Sequence, residues 1–194
     1  MGHAAVDVAP RLLGWSLTHD TDEGVVSVVL TEVEAYMGAD DPASHAYRGP
    51  TARNWVMFGE AGHLYTYLSY GMHWCCNVVT GAEGHASAVL LRAGRVVEGA
   101  DLARRRRGER IKDVALARGP GCLGQALGLD KRHNGVDLLG SARLRLRPHS
   151  LVDATSVRSG DRVGVRLAHD LPWRFWVADE PSVSAYKRSP RAAG

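Results

Sequence analysis

Lysine is nearly missing from these 194 residues: it occurs only at Lys112, Lys131 and Lys187, so arginine supplies almost all the positive charge. Arginine's rigid fork suits phosphate, although GC-biased coding would produce the same excess. Long apolar runs are missing too, since charge or glycine interrupts every candidate well short of the roughly 18 residues that cross a bilayer. The N-terminal residues lack the basic-then-apolar order of a secretory signal, with Asp7 and Arg11 flanking only a short Val-Ala-Pro stretch. Three cysteines, two of them adjacent at Cys75 and Cys76, do not make a disulfide framework. A reducing cytoplasm is the simpler expected setting.

What is present is a foldable chain. With 45% hydrophobic and 23% charged residues, it has the composition of a soluble globular domain. Its length suits one core. The expectation is a single domain over residues 1–186 and a flexible tail over 187–194. Charge is unevenly spread beneath a net +3. Residues 1–100 carry 5 Arg/Lys against 11 Asp/Glu, and residues 101–194 carry 19 against 10. Such asymmetry allows an anionic partner held by the second half, with an ordinary solvated surface as the alternative.

Periodicity predicts a short helix near residues 6–17, its start limited by Pro10. A β-branched strand should follow over 25–36, with Val26, Val28, Leu30, Glu32, Glu34 and Tyr36 on one face. The turn-rich stretch 37–62 is long for a structureless connection, which points to function. Strands are expected at 64–68, 73–80 and 86–93 with a turn at 69–71, paired antiparallel because no crossover helix fits between them. Helices follow near 101–112 and 119–129, with late strands at Leu144, Leu146 and 163–167.

Glu34 is the leading candidate for chemistry, standing where a rigid strand opens into a long loop. Glu32 has nearly the same claim, about 6–7 Å away by strand rise. The alternative for either is a salt-bridged strand end. Tyr65 and Tyr67 share a strand face and Tyr70 sits near a turn. They suit a pocket for a flat ring and a wedge between bases, or simply the aromatics of a hairpin. His73, Cys75 and Cys76 make a poor metal site, because adjacent cysteines seldom share a tetrahedron and no second ligand pair exists. Gly119, Pro120 and Gly121 have neither the Walker A spacing nor a GxGxxG fingerprint.

Taken in order, many short pieces resemble the alkyladenine (3-methyladenine) DNA glycosylase family. They begin with Thr31, Glu32, Val33, Glu34, Ala35 and Tyr36, then Asp41 to His45, Arg48 and Gly49, Thr51, Arg53 and Asn54, and Met57 and Phe58. Next come Tyr65, Thr66 and Tyr67, Tyr70, Gly71 and Met72, Asn77, and Leu90, Leu91 and Arg92. The series continues through Gly119 to Gly121, Ala126 to Gly128, and Asn134 and Gly135. It ends with Arg162, Val163 and Gly164, Trp173 to Phe175, and Val183 and Ser184. The likeness spans roughly residues 9–184.

The resemblance implies a single compact α/β domain with a curved, largely antiparallel mixed sheet, short surrounding helices and a protruding β-hairpin that wedges into DNA. It implies a monofunctional glycosylase of base excision repair. The substrates would be duplex DNA bearing alkylated or deaminated purines of the 3-methyladenine, hypoxanthine or ethenoadenine type. Glu34 would activate water with Arg92 positioning it. Tyr36 and His45 would form one wall of the base pocket and Tyr67 the other, Asn77 would crowd the amino group of guanine, and Tyr70 would fill the gap left by the flipped base. Arg104, Arg105, Arg106 and Arg107 are candidate DNA backbone contacts, with a solvated helix face as the alternative. No cofactor or metal is expected, nor a Schiff-base lyase step, because the three lysines lie outside the matched active-site stretch. The implied protein is a monomer off the membrane, in a bacterial-type cytoplasm or a nucleus, and its abasic product passes to a downstream enzyme. Ala61, where many members have proline, and residues 80–87 depart from the pattern. The rival readings are a non-catalytic damaged-DNA-binding module and a nucleoside hydrolase.

Overall fold

Five valines between residues 25 and 33 build the longest strand, and the sheet is organised around it. In the computed structural model, which describes residues 1–192, the elements run α1 (Ala5–Leu12), β1 (Trp15–Thr21), β2 (Gly24–Tyr36), β3 (Leu64–Ser69), β4 (His73–Val79), β5 (Ala88–Glu98), α2 (Ala100–Arg107), β6 (Ala117–Arg118), α3 (Pro120–Leu127), β7 (Leu144–Pro148), β8 (Val157–Gly160) and β9 (Arg174–Val177). They make one α/β domain. The described strands join in the order β3-β4-β5-β2-β1-β7, with β6 added to β5, and β9 pairing with both β2 and β8. Each of these pairings is antiparallel.

β2 divides one edge between two partners. Residues 24–29 pair with β1 and residues 32–34 with β9, while β5 runs along the other edge. Its pairing with β5 slips between Leu30 and Val33. The core takes Val26, Val28 and Leu30, then Val33 and Ala35. One uninterrupted face from Val26 to Tyr36 was expected. The irregularity breaks that alternation, because an irregular register moves later side chains to the opposite face. Glu32 and Glu34 are thereby turned off the apolar face that carries the valines. Gly94 permits the close approach there: a Cβ on it would lie 2.4 Å from Val28 and 2.5 Å from the Val29 carbonyl oxygen.

α1 packs on β2, and α3 covers β4 and β5. Fully buried leucines such as Leu30, Leu91, Leu123 and Leu127 fill the space between, each contributing about 1.5–3 kcal/mol over an exposed position. Several sequence expectations need correction. The first helix begins before Pro10 and ends at Leu12, since Gly14 (φ +81) turns the chain into β1, which periodicity missed. α2 stops at Arg107 because Gly108 leaves helical geometry. Residues 163–167 form no strand; the late pairing lies in β8 and β9, each only four residues long and too short to show periodicity. Of the expected tail, Ala193 and Gly194 lie outside the described residues.

Candidate active site

Both carboxylates on the second half of β2 are fully buried. Glu34 accepts a hydrogen bond from the Val163 N–H at 2.7 Å on Oε1 and from the Tyr36 hydroxyl at 2.8 Å on Oε2. The Arg92 guanidinium, on β5, lies 3.4 Å from Oε1. Burial, and then the charge of Glu34, hold the Tyr36 phenol well above its usual pKa, so its hydroxyl remains a donor. Tyr36, Arg92 and Val163 all line a cavity of about 940 Å³. Glu34 sits behind these three neighbours.

Glu32 is used differently. Its Oε1 accepts from Arg92 Nε at 2.9 Å, Arg174 Nε at 2.7 Å and the Ser184 hydroxyl at 3.0 Å, while Oε2 accepts from the Ser184 N–H at 2.7 Å. Burial pushes its pKa up, but Arg92, Arg174 and Ser184 outweigh burial and leave it below the usual value. Arg92 therefore spans the two carboxylates, more tightly to Glu32.

A second buried ion pair frames the Tyr36 side. Arg162 donates from Nη1 to Asp41 Oδ2 at 2.5 Å and from Nη2 to Oδ1 at 2.8 Å, with both side chains fully buried. It also donates to the Ala35 carbonyl at 3.0 Å, and its guanidinium stacks 4.7 Å from the Tyr36 ring centroid and 5.2 Å from that of Trp173. Arg162 immediately precedes Val163, so one residue steadies both the ring and the chain segment that supply donors to Glu34. Sequence reasoning assigned no role to Arg162, Asp41, Arg174 or Ser184. All four stand in the family-like pieces, but nothing local distinguishes a buried pair from a surface charge.

The long loop 37–62 is organised by Asn54. Its side-chain nitrogen donates to the carbonyls of His45 and Gly49 at 2.9 and 3.1 Å, and its oxygen accepts from Thr51 N–H and hydroxyl at 2.6 and 2.9 Å. That anchors His45, whose Nδ1 is 3.2 Å from the Tyr65 hydroxyl. Burial, then the charge of Arg53, lower the His45 pKa and favour neutral imidazole. His45 meets Tyr67 edge-on, with centroids 4.5 Å apart and planes at 85°. A ring stacked between two walls needs about 7 Å, two van der Waals spacings. The pair as it stands leaves no slot between them.

β3 and β4 form the hairpin, in register from Leu64 opposite Val78 to Ser69 opposite His73. Tyr70 occupies the turn at φ +50 and is 89% exposed, with Met72 also outward at 70%. A bulky residue at positive φ is uncommon and strained. Cys75 lines the cavity whereas Cys76 belongs to the core, so alternation separates the adjacent cysteines. Asn77 also lines the cavity and donates to the Tyr65 carbonyl at 3.3 Å.

Tyr36, His45, Tyr67, Tyr70, Asn77 and Arg92 thus converge on one cavity from four strands, a loop and a hairpin turn. The arginine run does not join them. Arg104 bridges Asp101 and Asp113, Arg106 reaches Glu23 and the Ala126 carbonyl, and Arg107 donates to the Leu116 carbonyl and Gln125. These bonds tie α2 to its neighbours, while Arg105 is exposed. Lys187 overturns one sequence argument: it lines the cavity, together with Arg188, Ser189 and Pro190. Among the described residues no group of three His, Cys, Asp or Glu side chains is arranged to hold a metal.

Residues 1–181 match the family described as methylpurine-DNA glycosylase. Relatives bearing the provisional name 3-methyladenine DNA glycosylase are similar over nearly the whole chain. One from Nocardia farcinica is 53% identical over 192 residues, covering 96% of this chain and 89% of the relative. One from Streptomyces avermitilis is 50% identical over 190 residues with the same coverage, and one from Mycobacterium tuberculosis is 51% identical over 193 residues, covering 96% and 92%. The chain belongs to the methylpurine-DNA glycosylase family, and with that membership goes glycosylase-type repair of alkylated purines in DNA.

Proposed function

We propose that this protein is a monofunctional DNA glycosylase that flips a damaged purine nucleotide out of duplex DNA and hydrolyses its N-glycosidic bond. The reading rests chiefly on Glu34, held by Tyr36, Val163 and Arg92, three residues that themselves line the cavity. As the bond breaks, positive charge develops on the sugar while electrons leave with the base. The Glu34 carboxylate orients and deprotonates the attacking water and stabilises the cation; Arg92 helps position that water. General base catalysis of this kind is worth about 10²–10⁴-fold. Attack forms the bond from oxygen to the sugar carbon, the base departs with the glycosidic electron pair, and an abasic site remains.

Alkylated purines such as 3-methyladenine carry positive charge and leave readily. Hypoxanthine and ethenoadenine extend the class, with leaving-group protonation required for the neutral bases. Tyr36, His45 and Tyr67 supply stacking faces, and cation–π attraction for charged lesions. Because His45 and Tyr67 touch edge-on, one ring must turn as the base enters. Asn77 crowds the amino group of guanine. Tyr70, exposed at the hairpin tip, wedges into the stack, and weak pairing of a lesion lowers the cost of flipping.

Duplexes containing hypoxanthine, ethenoadenine or 3-methyladenine, incubated with the protein and then with alkali, test the reading. Strand breaks should form only after alkali and disappear in Glu34→Gln. Binding without base release would favour a damage-recognition module. Release from free nucleosides but not DNA would sink the assignment to DNA. Breaks before alkali that vanish in Lys187→Ala would replace the monofunctional step with Schiff-base chemistry.

A further inference from the structure

Among the described residues no aspartate or glutamate lines the main cavity, whereas Arg92, Arg166, Lys187 and Arg188 do. Arg92 is buried and committed to Glu32 and Glu34. The other three are exposed. Among the described residues, neither the Arg166 nor the Lys187 side chain has a hydrogen-bond or ion-pair partner. The segment bearing Lys187 is seated on the loop 163–167: the Gly164 N–H donates to the Lys187 carbonyl at 2.9 Å. That loop also supplies the Val163 N–H to Glu34. Residues 187–190 lie beyond residue 181, where the family match ends.

With every lining Arg and Lys cationic and three of them exposed, the cavity mouth favours an anionic ligand, and a purine base alone does not supply the charge. A nucleotide drawn from duplex DNA does, because a backbone phosphate lies on each side of it. We propose that residues 187–190 and Arg166 form a phosphate-binding rim, at which Lys187 and Arg166 each neutralise one backbone phosphate beside the flipped nucleotide. The inference deepens the glycosylase reading and rests on it. It also gives the C-terminal segment a task in substrate binding rather than that of a tail.

The test is equilibrium binding of the full-length protein to a duplex carrying a tetrahydrofuran abasic-site analogue, between 50 and 300 mM salt. The double variant Arg166→Ala/Lys187→Ala should bind on the order of 10-fold more weakly at the lowest salt. Its slope of log affinity against log salt should be shallower by about 2, since each neutralised phosphate contributes roughly 0.9. Arg110→Ala, which removes an exposed charge that does not line the cavity, should keep the wild-type affinity and slope. Ending the chain after Tyr186, which removes Lys187 and Arg188, should likewise weaken binding and make the slope shallower. Unchanged affinity and slope in the double variant would overturn the rim. So would tighter binding by the shortened chain, which would make the segment a cover over the cavity. If the wild type neither excises lesions nor prefers the analogue to undamaged duplex, the glycosylase reading itself fails and takes the rim with it. If the wild type does both and the variants match it, only the rim fails.

Discussion

Two carboxylates, two residues apart on one strand and equally buried, are built into opposite environments. Glu32 is enclosed by Arg92, Arg174 and Ser184, which bond both its oxygens. Glu34 shares Arg92 at the longer distance of 3.4 Å and takes its other bonds from Tyr36 and Val163. All three of its neighbours reach the cavity; Arg174 and Ser184 around Glu32 do not. Burial therefore does not distinguish the acid we propose as reactive from its neighbour. The difference is whether the groups that hold the carboxylate also line the cavity.

The largest effect should separate the two by chemistry. Glu34→Gln keeps the shape of the side chain, and single-turnover excision of hypoxanthine should fall by about 10²–10⁴-fold. The folded protein should still bind an abasic-site duplex. Glu32→Gln should act mainly on stability, costing about 3–5 kcal/mol in denaturant unfolding because it leaves two buried guanidinium groups short of their counter-charge. An undiminished rate in Glu34→Gln, or a rate collapse without stability loss in Glu32→Gln, would reverse the assignment.

Asp41→Asn sharpens the same contrast at the other buried pair. Breaking one partner should cost about 3 kcal/mol, read by denaturant unfolding. It should also slow excision, because Arg162 holds both Tyr36 and the chain entering Val163. Stability loss without any change in rate would limit Arg162 to the scaffold.

Acid should reveal Glu32. Its pKa is lower folded than unfolded, so its stabilisation is present above the unfolded value of about 4.5 and is lost as pH falls through the folded value. Between pH 6 and 3, unfolding free energy should decline less steeply in Glu32→Gln than in wild type. Equal slopes would mean that Glu32 is not held in its charged form. The smallest stability effect belongs to Tyr70→Ala, within about 0.5 kcal/mol because the ring is exposed. Fluorescence from a base analogue opposite the lesion should nevertheless show impaired flipping.

Much of this site was legible before folding. Val25 to Val33 announced a strand by β-branching, and Tyr65, Tyr67 and Tyr70 announced a hairpin by alternation and a turn. Those signals are local. The face presented by Glu32 and Glu34 was not legible, since it depends on a register irregularity against β5 and on Gly94, which lies 60 residues beyond Glu34. Val163 was expected in a strand, yet its N–H serves Glu34 from a loop fixed by Arg162. The arginines at 104, 106 and 107 read as a charged run, and only their partners show that Arg106 and Arg107 tie α2 to α3 while Arg104 bridges two exposed aspartates.

The sequence by itself determined the family, the strand bearing the two acids and the turn bearing Tyr70, because motif order and short-range periodicity suffice for these. Tertiary structure alone decided that Glu34 stands behind the cavity wall, that Glu32 is locked into an ion cluster and that Lys187 lines the cavity. Each outcome depends on residues brought together from more than 20 positions apart, whose burial and pairing no local pattern encodes.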